Sequence, residues 1–270
     1  MITLVTPKPS ERHTKSIPSM SDERPTIHPL AHKYSRGVVT VVAGSHIYPG
    51  AAVLTVGGAR RGGAGYVTFL DIDPRATELV LQRFPDVVPL SSLDEKRCDA
   101  LVIGPGGARI DSIPHGIPVV LDSGALPSAR IKREGITVVT PHEGEIAELG
   151  FELVHESNDR DTNRIATAEL ISQELNVITV LKGHHTVIAA PGCATYVDRS
   201  GGPELATAGS GDLLAGLVGA LLASWKPHSI EDGFDVVKKG IALHSRAGAM
   251  AAKRYTSVTA LEIMESLAEA

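Results

Sequence analysis

The chain has 270 residues, of which 43% are apolar and 21% charged, and its formal net charge is −5 at pH 7. These values exclude a disordered or collagen-like chain and give no electrostatic reason to bind nucleic acid or an anionic membrane. Aromatic residues are only 4%, whereas 27 glycines and 17 prolines are present, and the glycines cluster as they do where backbone must approach something closely.

In chain order, residues 1–35 are polar and dotted with prolines (Pro7, Pro9, Pro18, Pro25, Pro29). They read as a flexible leader with room for one short ordered segment, ahead of a single domain over 36–270. From Gly37 the pattern alternates. Strands are predicted at Val38–Ala43, Gly65–Leu70, Val87–Leu90, Ala100–Ile103, Pro118–Leu121, Thr137–Thr140 and Val177–Lys182. Helices are predicted at Gly50–Arg61, Pro74–Phe84, around Ser128–Lys132, and at Asp159–Leu175. Thr186–Ala189 and Ala194–Val197 flank Pro191-Gly192 and read as a hairpin. Helices at Ser210–Ser224, Glu231–Ala252 and Ser257–Ala268 close the chain. This alternation predicts an α/β fold, a mainly parallel sheet covered by helices on both faces with an antiparallel addition at one edge. Ligands on such sheets bind beyond the carboxyl ends of the strands, where Gly44, Gly104-Pro105-Gly106-Gly107 and Gly183 fall.

The longest apolar run, Leu213 to Ala223, is too short to span a bilayer. No secretory signal pattern opens the chain, so a cytoplasmic protein is expected. Cys98 and Cys193 lie far apart without a CxxC and read as idle thiols.

A phosphate site is not of the usual kinds. The dipeptide Gly-Lys is absent, which excludes a Walker A loop, and no window fits GxGxxG. Ala208-Gly209-Ser210-Gly211-Asp212 instead precedes an apolar helix. Two glycines around a serine let backbone N–H groups converge on one concavity at the positive end of that helix. Asp212 falls in the first turn, where the dipole favours its ionised form. A carboxylate beside a phosphate has work to do if it accepts a proton from an attacking hydroxyl. The competing reading is a helix capped by Thr207 or Ser210, with Asp212 serving the dipole. On this segment alone the two stand level.

Other segments bear on the choice. Thr140-Pro141-His142-Glu143-Gly144-Glu145 puts a titratable cluster at a strand end; a helix start with Pro141 first explains all of it but His142. Lys182-Gly183-His184-His185-Thr186 follows another strand, and a lysine there is placed to meet phosphate. A plain surface turn is the alternative. Adjacent histidines are expected to point to opposite sides of an extended chain, so a two-histidine metal site is not expected. The Gly44–Ala51 crossover is adequately explained as turn chemistry.

In order, these segments resemble one family, the ADP- or ATP-dependent NAD(P)H-hydrate dehydratases, whose fold is ribokinase-like. The matching segments are Ala43-Gly44-Ser45 with Tyr48-Pro49-Gly50-Ala51, Gly62-Gly63-Ala64-Gly65, Gly104–Gly107, Thr140–Glu145, Lys182–Thr186, Gly209–Asp212 and Leu243–Gly248. The resemblance covers roughly residues 35–252. It implies repair of hydrated NADH or NADPH, with ADP or ATP phosphorylating the ring hydroxyl and phosphate then leaving; single-domain members generally use ADP. Mapped by motif, Asp212 would be the base, and the N–H groups of Gly209, Ser210 and Gly211 would hold the moving phosphoryl group. Ala51, Gly106 or Gly107, His142 and Asp212 would contact the hydrated dinucleotide. Lys182, Gly183, His184, His185, Thr186 and Gly211 would hold the donor nucleotide. The resemblance also implies Mg2+, with no ligands identifiable, a homo-oligomer such as a tetramer, and pairing with a separate NAD(P)H-hydrate epimerase.

Two departures matter. Relatives show an Asp-Ala-Asp-Ala-Leu-like run where this chain has Asp122-Ser123-Gly124-Ala125-Leu126, so the second acid is missing. The loop Gly104–Gly107 ends in Ala108 where relatives often have glycine. The main rival is a small-molecule kinase of the same superfamily, of hydroxyethylthiazole or pyridoxal type. A non-catalytic nucleotide sensor is a third reading, disfavoured because a pure phosphate binder gains nothing from Asp212.

Overall fold

The computed structural model describes residues 27–270. Most of the expected leader lies outside the described residues. Just before the core, the Tyr34 ring packs edge-on against Tyr66, and Arg36 donates to the Gly63 carbonyl at 3.2 Å.

Seven parallel strands arise from the β-branched runs: β1 Val38–Val42, β2 Tyr66–Leu70, β3 Val88–Leu90, β4 Ala100–Ile103, β5 Val119–Leu121, β6 Thr137–Val139 and β7 Ile178–Leu181. The hairpin β8 Thr186–Ala189 and β9 Tyr196–Asp198 adds antiparallel to β7. The order is β3-β2-β1-β4-β5-β6-β7-β8-β9. It reverses direction between β1 and β4, which opens a crevice beyond their carboxyl ends.

The helices are α1 Pro49–Arg61, α2 Pro74–Arg83, α3 Arg160–Leu175, α4 Ser210–Trp225, α5 Ile230–Arg254 and α6 Ala260–Ser266. One face of the sheet (Val39, Val41, Val102, Val120, Val138, Val180) packs on residues of α1, α2, α4, α5 and α6. The other (Val42, Leu101, Ile103, Leu121, Val139, Leu181) packs on α3 and on 3-10 segments at Ser123–Arg130 and Glu143–Leu149. Both faces are covered, as the pattern predicts. The β4–β5 and β5–β6 crossovers carry proline and glycine in place of long amphipathic stretches, so the second face has only α3, from the β6–β7 crossover, beside its tight 3-10 turns.

Side chains of Asp73, Asp159, Ser229 and Thr259 cap α2, α3, α5 and α6. Neither α1 nor α4 has a side-chain cap. Their N-terminal donors are therefore left for another acceptor.

These two uncapped helices cross closely. A Cβ on Gly216 would lie 1.9 Å from the Thr55 carbonyl oxygen, and one on Gly58 2.0 Å from that of Leu213. The contact sets α4, carrying Asp212, against α1, carrying Ala51. Gly216→Ala must push two backbones apart, so a loss of about 2–4 kcal/mol in urea unfolding is expected.

Candidate active site

Asp122, Thr140–His142 and Lys182 follow the carboxyl ends of β5, β6 and β7. The Lys182 N–H donates to the Pro141 carbonyl at 2.8 Å, extending the sheet by one bridge between His142 and Lys182. This register turns neighbouring side chains into one cluster. Lys182 Nζ is 2.7 Å from Asp122 Oδ1 and 3.8 Å from Glu145 Oε2. Thr140 Oγ1 donates to the same Asp122 oxygen at 2.7 Å. Burial works against the Lys182 charge, but Asp122 and Glu145 outweigh it and raise its pKa above the ordinary lysine value. The expectation of a lysine facing phosphate is thus refined: its ammonium is already ion-paired.

Gly209 begins α4 in the left-handed region at φ +87°, which favours glycine. This overturns the capping expectation for Thr207 and Ser210. The Ser210 hydroxyl lies 3.2 Å from His244 Nε2, and the Ser210 N–H is 3.3 Å from the Thr207 carbonyl. The N–H groups of Gly209, Gly211 and Asp212 have no acceptor among the described residues, and α4 supplies its positive end there. The concavity is therefore present, though Ser210 is partly diverted from it.

A Cβ on Gly211 would sit 3.2 Å from Lys182 Nζ, so the start of α4 faces the ion-paired cluster. Asp212 feels it. Burial, then the Asp122 charge, push its pKa up from 3.8 to about 6, with Lys182 opposing and Glu145 adding. The sequence expectation of a dipole-favoured ionised carboxylate needs correcting: desolvation and two neighbouring acids leave a base that titrates just below neutrality. His244, which is buried, is pushed down to about 4 by burial and is neutral.

A cavity of about 590 Å³ meets this cluster at Lys182 and is lined there by His142, Lys182, Gly183, His184, Thr186, Ser210 and Gly211; Asp212, Gly209, Asp122 and Glu145 are not among its walls. Asp198, Ser245 and Leu205 line its far side. Asp198 is buried, and its two oxygens accept the Ser245 hydroxyl at 2.7 Å and the Ser200 hydroxyl at 2.6 Å. His185 is not among the walls; its Nδ1 lies 2.7 Å from Asp161 Oδ2. The His184 and His185 rings lie 4.4 Å apart because the chain bends over residues 183–185. The expectation that they point to opposite sides is wrong for that reason. Among the described residues no group of three or more His, Cys, Asp or Glu side chains is arranged to hold a metal ion.

Ala51, Gly106 and Gly107 lie outside this cavity's walls, at the β1/β4 crevice. A Cβ on Gly106 would lie 2.7 Å from that of Ala51, while Gly107 faces open space. Gly124 is the third residue of the Asp122–Leu126 run, where the resemblance implies a second acid. A side chain there would begin 2.7 Å from the Gly107 carbonyl carbon, so this loop fills the space an acid would need. Asp122, flagged but left without a role, and Glu145, read as a helix-start acid, are the members of this cluster that sequence reasoning did not bring to Lys182. Glu145 Oε2 accepts the His142 N–H at 2.9 Å. Only its position three residues after His142 could have signalled it.

The family model described as NAD(P)H-hydrate dehydratase matches residues 39–269. A bifunctional NAD(P)H-hydrate repair enzyme of Corynebacterium glutamicum is 39% identical over 214 residues, covering 71% of this chain and 36% of the relative. That of Mycobacterium leprae is 33% identical over 235 residues, covering 82% and 47%. The chain thus spans about half or less of the length of these relatives. The ADP-dependent (S)-NAD(P)H-hydrate dehydratase of Bacillus subtilis is 29% identical over 248 residues, covering 86% and 87%. A Bacillus subtilis ADP/ATP-dependent NAD(P)H-hydrate dehydratase co-crystallized with ATP/Mg2+ superposes with a TM-score of 0.76 at 26% identity, covering 93% of this chain and 95% of that one.

Proposed function

This chain belongs to the NAD(P)H-hydrate dehydratase family, and from that premise we propose that it dehydrates hydrated NADH and NADPH at the expense of ADP. The observation that carries the reading is the juxtaposition of Asp212, with a pKa of about 6, and the unpartnered N–H groups that open α4.

The ring hydroxyl of the hydrated nicotinamide loses its proton to Asp212 as its oxygen attacks the terminal phosphorus of ADP. The bond to the α-phosphate oxygen breaks and AMP departs. The ring nitrogen then expels phosphate as the carbon–oxygen bond breaks, and loss of a proton from the adjacent ring carbon restores NAD(P)H. The N–H groups of Gly209, Gly211 and Asp212 stabilise the moving phosphoryl group, because preorganised donors cost no reorganisation at the moment of transfer. Lys182 holds Asp122 and Glu145 neutralised beside it. Gly183, His184 and Thr186 border the donor nucleotide, while Ala51, Gly106 and His142 border the hydrated dinucleotide.

The donor set fits magnesium and does not fit a tightly caged metal. Mg2+ keeps several waters and is held by one or two carboxylates plus substrate phosphates; Asp122 and Glu145 are already paired with Lys182, so the ion would be carried chiefly by the nucleotide's phosphates and water. Bound there, the ion would neutralise phosphate charge. The same reading includes a homo-oligomer, a cytoplasmic location where the cofactors are used, and pairing with an epimerase activity that interconverts the two hydrate epimers. The (S) in the Bacillus subtilis relative's name supports the epimer selectivity.

The test is to incubate the protein with hydrated NADH and either ADP or ATP and follow the reduced-nicotinamide absorbance band. Absorbance is expected to return with ADP, and AMP and phosphate to accumulate. No return with either donor would overturn the reading, and a stable phosphorylated product would establish a small-molecule kinase instead.

A further inference from the structure

Arg164, in the second turn of α3, carries a buried charge for which the chemistry above has no use. Its residue is 2% exposed. Its guanidinium donates to three carbonyl oxygens of one short segment: Nη1 to His185 at 2.5 Å, and Nη2 to Leu181 at 3.0 Å and Lys182 at 3.1 Å. Nε lies 2.9 Å from Glu143 Oε1 but its N–H is not aimed at an acceptor. Arg160 Nη2 donates to both oxygens of that carboxylate at 3.0 Å.

In a trans peptide the N–H points opposite to the carbonyl of the preceding residue, so holding the Lys182 and His185 carbonyls turns the N–H groups of Gly183 and Thr186, both cavity-lining residues, away from Arg164. The N–H groups of Gly183, His184 and His185 make no hydrogen bond among the described residues. Gly183 and His184 line the cavity, and Arg164 is not among its walls. Only glycine lets the guanidinium come so close, because a Cβ on Gly183 would lie 2.4 Å from Arg164 Nη2. Outside, Asp161 Oδ2 holds His185 Nδ1 at 2.7 Å and Arg199 at 3.2 Å, which pins the segment's far end.

We propose that Arg164 is a positioning residue that folds the Lys182–Thr186 segment into an N–H-lined cradle for the donor nucleotide's phosphates. Its charge also offsets the carbonyl dipoles that would otherwise repel an anion. Glu143 completes the arrangement by tying α3 to the His142–Glu145 segment, so both walls of the reacting site are braced from one buried cation. The inference rests on the proposed nucleotide reading of this segment.

The test is calorimetric titration of the whole protein with adenosine, AMP, ADP and ATP in magnesium, for the wild type, Arg164→Lys and Gly183→Ala. Arg164→Lys loses at least two of the three carbonyl bonds, and Gly183→Ala displaces the guanidinium without removing it. Each is expected to weaken ADP and ATP by at least about tenfold, as for loss of charge-assisted hydrogen bonds. Adenosine should change by less than about threefold, because the cradle acts on phosphates. A wild type that binds neither ADP nor ATP overturns the nucleotide reading itself. A wild type that binds them, with variants that bind equally well or lose all four ligands in proportion, overturns the role of Arg164.

Discussion

Replacing Asp212 by asparagine is expected to lower kcat by at least about 10³-fold, the scale of a lost general base. The amide keeps the shape but cannot take the hydroxyl proton. Nucleotide affinity should stay unchanged or rise, because a negative charge beside the phosphates is removed. Stability moves the opposite way from activity. The Asp212 carboxyl is pushed from 3.8 to about 6 in the fold by burial and by Asp122. Between those values the folded chain binds more protons than the unfolded one, so this group's contribution to stability falls as pH rises through that window. Above it the cost is at most about 3 kcal/mol. Asp212→Asn should therefore melt higher than the wild type at pH 8, and the difference should shrink toward zero below pH 4. In the wild type, kcat/KM should fall about tenfold per pH unit below about 6 as the base is protonated.

Lys182→Met is the second large effect. It leaves Asp122, which is buried, without its cation, and removing one partner of a buried pair costs about 3–5 kcal/mol. It also removes the charge that restrains the Asp212 pKa while Asp122 and Glu145 remain. The acid limb of the kcat/KM profile should move above pH 6, towards neutrality, and kcat at pH 7 should fall by at least about 10²-fold. An acid limb that stays in place while stability drops would mean that Lys182 serves the fold alone.

How much of this was legible before the fold follows from what local sequence encodes. Runs such as Val38–Ala43 and Val177–Lys182 are rich in β-branched residues and bounded by glycine or asparagine, so the strands and a mainly parallel sheet could be read directly, whereas the strand order could not. Asp212 and the Gly209–Gly211 loop were legible because an anion site at a helix start is a local construction. The cluster around Lys182 was not, because Asp122, Glu145 and Lys182 come from three successive β-strand ends and meet only through the register of β5, β6 and β7. The ionised form that the helix dipole favours at Asp212 is opposed for the same reason: the acids that work against it, Asp122 and Glu145, are distant in sequence. Arg164 looks like any arginine on a polar helix face until the bend at Gly183 turns three carbonyls toward it. The glycine at 124 is also a matter of tertiary space, since a side chain there would meet the Gly107 backbone.

The central claim is that the ring hydroxyl leaves as phosphate after Asp212 takes its proton. Hydrated NADH labelled with heavy oxygen at that hydroxyl tests it most directly, with the phosphate released from ADP analysed by mass spectrometry. The label is expected in phosphate, one atom per NADH restored. Label found in water, with unlabelled phosphate, would contradict phosphorylation of the hydroxyl and with it the role assigned to the start of α4.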